Sequence, residues 1–215
     1  MNTHNYYEDL KQLARQVRAE NGLSSPRVLP NDLMRIYAKY EITVDEWPYR
    51  FRNLRGAFIN DHLGATVMVA KGLPQDPMAF TMAHELKHFF RDRDLGISYC
   101  DVSNLNKSIE IGAEIFAAEL LFPDRDFIAH MNRMGIRTNQ CLPKNLIQLK
   151  RQTGTTLSYA GLAIKAERLG FAPSHSLTTI KTWRKLEALY SPPLTRSTSR
   201  SQMPRACPVE FHDRS

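Results

Sequence analysis

Cysteine is scarce in this chain of 215 residues. Cys100, Cys141 and Cys207 are widely spaced and odd in number, which argues against a disulfide framework and fits a reducing cytoplasm. No apolar run approaches the length of about 20 residues that a spanning helix needs, so no membrane span is expected and no membrane partner with it. The N-terminal stretch MNTHNYYEDLKQLARQ lacks a basic segment followed by an apolar one, so no secretory signal is expected and the predicted location is cytoplasmic. Acidic residues are nearly missing from one region. Between Met131 and Arg205 there are 2 Asp/Glu against 13 Lys/Arg, a local balance of +11. The whole chain carries +7, so the rest carries −4, that is 7 minus 11. Such asymmetry makes the C-terminal third a candidate surface for a polyanion, nucleic acid being the usual one, against the plainer reading of a solvated basic surface.

What is present is ordinary for a soluble globular protein: 42% hydrophobic and 24% charged residues, with no internal repeats. Helical spacing of Leu10, Leu13, Ala14 and Val17 predicts a first helix over residues 6–21, stopped by Asn21-Gly22. A second is signalled at Pro30-Asn31-Asp32, and a short strand at 41–44. Arg55–Asn60 and Ala65–Ala70, separated by a polar turn with Gly64, predict a hairpin whose second strand could offer an edge to an extended peptide. A Pro/Gly loop over 72–77 then leads into a helix expected from about Met78, ended by the polar run 91–94. Residues 97–107 read as a loop, Ser108–Leu121 as a strong helix closed by Pro123, and Asp124–Met134 as a short one. Leu142–Arg151 and Ser158–Leu169 flank Thr153-Gly154-Thr155, a spacing that permits a helix-turn-helix-like pair. An amphipathic piece follows at 180–190, and 191–215 has the composition of a flexible tail.

The chemistry centres on Phe80-Thr81-Met82-Ala83-His84-Glu85-Leu86-Lys87-His88-Phe89-Phe90, which contains H-E-x-x-H. Residues four apart share a helix face, so His84 and His88 can offer two imidazoles to one ion. Glu85 stands one position round, where a carboxylate can take a proton from water that the ion activates. Zinc suits such a donor set. The pattern is short enough to arise by chance, so a third ligand decides the matter. The 108–121 helix supplies Glu110 and Glu114 on one face. Glu119, about 140° round from Glu114, is expected to face solvent. Two carboxylates on an otherwise apolar face need a partner, and a metal with a ligating imidazole would satisfy both, one as ligand and the other as acceptor from a ring nitrogen.

FTMAHELKHFF, preceded by ATVMVAKGLP and followed by E-x-x-A-x-x-F-A-A-E-L-L-x-P, resembles the ImmA/IrrE-type zinc metallopeptidases over about residues 6–172. The resemblance implies an α+β fold: a zincin-like metallopeptidase core over 1–130, mostly helical with a small antiparallel sheet. A basic helix-turn-helix-like segment at 131–190 and a tail at 191–215 would follow. It implies His84, His88 and Glu110 as ligands of Zn2+, Glu85 as catalytic base and Glu114 as the supporting acceptor. It further implies a regulatory endopeptidase that cuts a helix-turn-helix transcriptional repressor and so derepresses stress, mobile-element or phage-defence genes. Lys87 stands where the family often has Gly and is expected on the far side of the helix from the histidines, where it should be tolerated. Glu114 stands where the family often has Asn.

Two further expectations concern regulation and catalysis. Cys100, between the motif helix and the Glu110 helix, is a candidate inhibitory fourth metal ligand through its thiolate. Tyr159 and His130 are candidate donors to a developing oxyanion, against a structural role for each. An alternative of a different class is a DNA-binding transcriptional regulator with a structural or degenerate metal site. The basic third supports it, and the lack of four nearby Cys/His ligands opposes it.

Overall fold

A computed structural model of the chain describes residues 3–47, 55–93, 97–99 and 107–190. Helix α1 spans Thr3–Glu20 and α2 spans Pro30–Lys39. Pro30 opens α2 where its missing N–H costs nothing, and the Asp32 side chain accepts from the Leu29 amide at 2.8 Å. Strands β1 (Thr43–Trp47), β2 (Gly56–Asp61) and β3 (Gly64–Ala70) follow. The hairpin forms as the alternation predicts. Its turn is closed by the Leu63 amide donating to Asp61 at 2.8 Å, with Gly64 at φ +113°, a conformation other residues rarely adopt.

The sheet departs from expectation in two ways. A further strand, β4 (Ile97–Tyr99), lies where a loop is predicted, and the order is β1-β3-β2-β4. The sheet is mixed rather than antiparallel. β1 runs parallel to β3, with Thr43 opposite Thr66, while β2 is antiparallel to both β3 and β4. Alternation marks a segment as strand but says nothing of its partner or direction. β3 is therefore an inner strand, its N–H and C=O groups already paired on both sides, and cannot offer an edge to a peptide.

Helix α3 (Gln75–Arg91) crosses this sheet and starts earlier than expected, because Pro77 fits within the first turn, where no intrahelical partner is needed. It is flanked by α2 and by α4 (Lys107–Leu121), which in turn packs along α1. Gly112 permits that last contact: a Cβ there would lie 2.8 Å from Leu10 Cδ1 and 3.0 Å from the Tyr6 hydroxyl. Leu10, Leu33, Phe58, Val67, Met82, Leu86, Phe116 and Leu120 belong to one apolar core enclosed by these elements.

A second core begins at Phe122 and is built by α5 (Asp124–Arg133), α6 (Pro143–Thr153), α7 (Tyr159–Arg168) and α8 (Trp183–Leu189). Ser158 caps α7 by accepting from the Gly161 amide, Gly154 ends α6 in the left-handed conformation, and Trp183 stacks on Tyr159 at 5.3 Å. Phe80 and Ala118 touch this core from α3 and α4. Among the described residues no helix is long and apolar enough to cross a membrane. The tail expected at 191–215 lies outside the described residues.

Polar contacts join the two cores. Glu119, expected at the surface, is 1% exposed. It accepts from Arg15 of α1 at 2.9 Å, from the Asp124 amide at 2.9 Å and from Lys165 of α7 at 3.4 Å. Helical spacing does turn Glu119 away from Glu114, but α1, α5 and α7 cover that side of α4. Asp124 collects Lys165, Arg168 and Lys11 in turn. Burial works to raise its carboxyl, but these three cations outweigh burial and lower it to about 2. Its folded value thus lies below the ordinary one of about 3.9, so the stability it contributes is full above that value and is lost as pH falls toward 2. Asp124→Asn is expected to lower the denaturation midpoint at pH 7 and to flatten the acid limb of the stability profile. Urea titrations from pH 7 to 2 will show this as a wild-type–variant gap that closes on acidification.

Candidate metal centre

The middle of α3 is buried on nearly every side, from Ala79 through Thr81–Ala83 to Glu85–Phe89. His84 and His88 point from it toward the first turn of α4, with ring centroids 5.2 Å apart. There Glu110 meets them: His84 Nε2 lies 3.2 Å from Glu110 Oε2 and His88 Nε2 lies 3.7 Å from Glu110 Oε1. Donor atoms of all three lie within 4.8 Å of one another. Ligands at about 2.0–2.1 Å on a tetrahedral ion sit about 3.3 Å apart, so the carboxylate-to-imidazole spacings suit a shared divalent cation. Two imidazoles and one carboxylate make three donors, one fewer than the four that close a structural zinc site.

The electrostatics agree with a cation site. Burial works to lower His84, yet the hydrogen bond to Glu110 and the charges of Glu85, Glu110 and Glu114 outweigh it, leaving the imidazole raised. Burial works to raise Glu110, but His84, His88 and Lys87 hold it below the usual carboxylate range. Negative charge thus gathers on one side of two largely buried imidazoles.

His88 is oriented by Asp92, which the sequence marks only as part of a polar helix stop. The His88 Nδ1 lies 2.6 Å from Asp92 Oδ2, which directs Nε2 toward Glu110. Asp92 is four residues beyond His88, so helical spacing holds that signal. Burial raises and the bonds from His88 and Lys87 lower the Asp92 carboxyl, with the lowering stronger. Glu114, expected as the supporting acceptor, is exposed one turn beyond Glu110 and acts on His84 through its charge.

Lys87 is not on the far side of the helix. Three residues on from His84, its position comes round to within about 60° of that histidine. The side chain is 0% exposed. Its ammonium donates to Asp92 Oδ2 at 2.6 Å and to the Ile109 carbonyl at 3.0 Å.

Glu85 lies in the same helix turn, 1% exposed, against β2. Gly56 makes room for it: a Cβ there would stand 2.7 Å from Glu85 Oε1 and 2.5 Å from Thr81 Cγ2. A glycine inside a strand pattern signals close approach, and Gly56 is the trace of this contact in the sequence. Beneath, the buried Tyr37 hydroxyl donates to the Met82 carbonyl at 2.6 Å.

The other sequence candidates fall elsewhere. Tyr159 donates its hydroxyl to Glu187 at 2.7 Å, and His130 packs edge-on against Phe122, so both serve the second core. Cys100 lies outside the described residues. Beside the centre, an apolar groove of about 420 Å³ is lined by Phe80, Ile111, Ile115, Leu157 and Ile164, with Glu114 and Arg55 among its polar residues. Phe80 sits 6.4 Å from the His84 ring, so the groove opens one helical turn from the imidazoles.

The profile of the IrrE N-terminal-like domain, Peptidase M78, matches residues 39–156, more than half of the chain. The chain belongs to this family. Its IrrE N-terminal-like region contains the motif helix and the Glu110 helix whole, so the three clustered donors all fall inside the match. The architecture is similar to that of a Mycobacterium tuberculosis transcriptional regulator, with a TM-score of 0.51 and 18% identity. That likeness covers 76% of this chain and 47% of the regulator, so the M78 chain spans about half the length of that protein. A comparison with curated proteins returns no match.

Gly56→Val is expected to destabilise the fold by about 1–3 kcal/mol through overpacking against Thr81 and Glu85. Equilibrium denaturation will measure it, and an unchanged midpoint would mean β2 has more slack than its spacing indicates.

Proposed function

We propose that this M78 protein is a zinc-dependent endopeptidase of the cytoplasm that hydrolyses a peptide bond in a helix-turn-helix transcriptional repressor. The observation that carries this reading is the convergence of His84, His88 and Glu110, with the Glu85 carboxylate one residue from the first imidazole and enclosed by Gly56 and β2. Family membership supports peptidase chemistry. The similar mycobacterial structure is that of a transcriptional regulator, which is compatible with a setting in gene control.

His84, His88 and Glu110 would hold zinc, which would supply Lewis acidity toward a carbonyl and lower the pKa of a water toward neutrality. Glu85 accepts the proton of the attacking water at a carboxylate oxygen. The water oxygen adds to the carbonyl carbon, the C–N bond breaks, and Glu85 hands the proton to the leaving amine. Asp92 holds the His88 ring throughout, and the groove of Phe80, Ile111, Ile115 and Ile164 takes apolar side chains next to the scissile bond.

Glu85→Gln is expected to retain zinc while cleavage of a co-purified repressor falls at least about 100-fold. Undiminished cleavage would sink the mechanism. Glu110→Gln and His88→Ala should instead lose zinc, which metal analysis of the purified variants reads directly. In the same assay, Ile164→Glu should raise KM with little change in kcat, since it alters binding beside the centre and not the proton path.

Nucleic acid is a second proposed partner, with fewer cations to offer than the sequence tally implies. Lys150 pairs with Asp76, Lys165 and Arg168 pair with Asp124, and Arg151 donates to the carbonyls of Glu187 and Tyr190. Arg133, Arg137, Lys144, Lys181, Arg184 and Lys185 remain at the surface. Binding through them should weaken steeply between about 50 and about 200 mM salt. A flat response in a fluorescence-anisotropy titration would exclude it.

A further inference from the structure

Lys87 is among the largest side chains that the fold buries completely, and it carries a charge. An ammonium removed from water is costly unless its donors are met, so the arrangement around it is informative. One donor goes to Asp92 Oδ2 at 2.6 Å, the oxygen that lies 2.6 Å from His88 Nδ1. Another goes at 3.0 Å to the carbonyl of Ile109, the residue just before Glu110. A single ammonium therefore joins the support of one imidazole to the first turn of the helix that carries the carboxylate. The four-carbon stem runs through the contact between α3 and α4, whose relative placement decides whether Glu110 reaches the histidines at all.

We infer that Lys87 is a positioning residue of the metal centre: through Asp92 and the Ile109 carbonyl it holds His88 and Glu110 in the spacing that one divalent cation needs. This rests on the reading of His84, His88 and Glu110 as metal ligands. Lys87 would not touch the ion or the substrate. Its effect is on how tightly the centre closes, because supports behind metal ligands commonly change affinity by about 10–100-fold when removed.

The test uses the full chain and zinc itself, with affinity measured by competition against a chromogenic chelator. Cobalt(II) absorption serves as a readout of coordination geometry. Lys87→Met keeps most of the volume and removes both hydrogen bonds. Zinc affinity is expected to fall about 10–100-fold and the cobalt spectrum to change in shape. Asp92→Asn should do likewise. The double variant should lose less than the product of the two single losses, because both changes dismantle one support. Glu119→Gln, at the far end of α4, serves as a control for general destabilisation and is expected to bind zinc as the wild type does.

Lys87→Gln retains an amide donor toward Asp92 and takes the place of Lys87→Met if circular dichroism shows the latter unfolded; an intermediate affinity is expected. A folded Lys87 variant with zinc affinity within twofold of wild type and an unaltered cobalt spectrum overturns the inference. So do single losses that simply multiply. A wild type that binds no zinc overturns the metal-ligand reading and this inference with it. A wild type that binds zinc but cleaves no repressor overturns the proposed function alone.

Discussion

A helix enclosed on nearly every side must give each of its polar side chains a partner other than water, and α3 sits under that constraint. The sheet covers it below, α4 beside it and α2 beyond. Water is not at hand for most of its length, so Lys87, His88 and Asp92 satisfy one another and reach the Ile109 carbonyl. Glu85 is accommodated only because Gly56 lets β2 approach without a side chain. Where α3 faces the first turn of α4, two imidazole nitrogens and a carboxylate converge. The burial that holds the helix thus also concentrates donors at its one less enclosed face.

Helix α4 carries the consequence across the molecule. Glu110 near its start belongs to the candidate centre, and Glu119, about 14 Å further along at about 1.5 Å per residue, belongs to the network of Arg15, Asp124 and Lys165. One rigid element therefore spans the core of α1–α4 and the core of α5–α8. The groove beside the centre is walled by both, with Phe80 and Ile115 on one side and Leu157 and Ile164 on the other. The basic residues of the C-terminal third take part in this joint. Lys150, Lys165 and Arg168 face acidic partners on α3, α4 and α5, so a charge tally along the chain overstates what is offered to a polyanion.

Much of the architecture was legible without coordinates because it rests on local rules. Helical spacing and caps located α1, α2 and α4–α7 to within a few residues, and alternation located the β2–β3 hairpin. H-E-x-x-H placed His84, Glu85 and His88 on one helix. What escaped was non-local. The parallel pairing of β1 with β3, the strand β4 and the burial of Glu119 each depend on which distant segment lies alongside, whereas the side of α3 that carries Lys87 follows from the helical step alone.

The sequence by itself determined the motif helix, its two imidazoles and the family to which the chain belongs, because helical periodicity and a fixed residue order need no knowledge of neighbours. Only the tertiary structure decided that Glu110 meets those imidazoles and that Gly56 faces Glu85. Glu110 belongs to a different helix from His88, with a strand between them along the chain, yet lies 3.7 Å from it in space. That separation is closed by the packing of α3 on α4, which follows from the burial of apolar faces rather than from any local pattern.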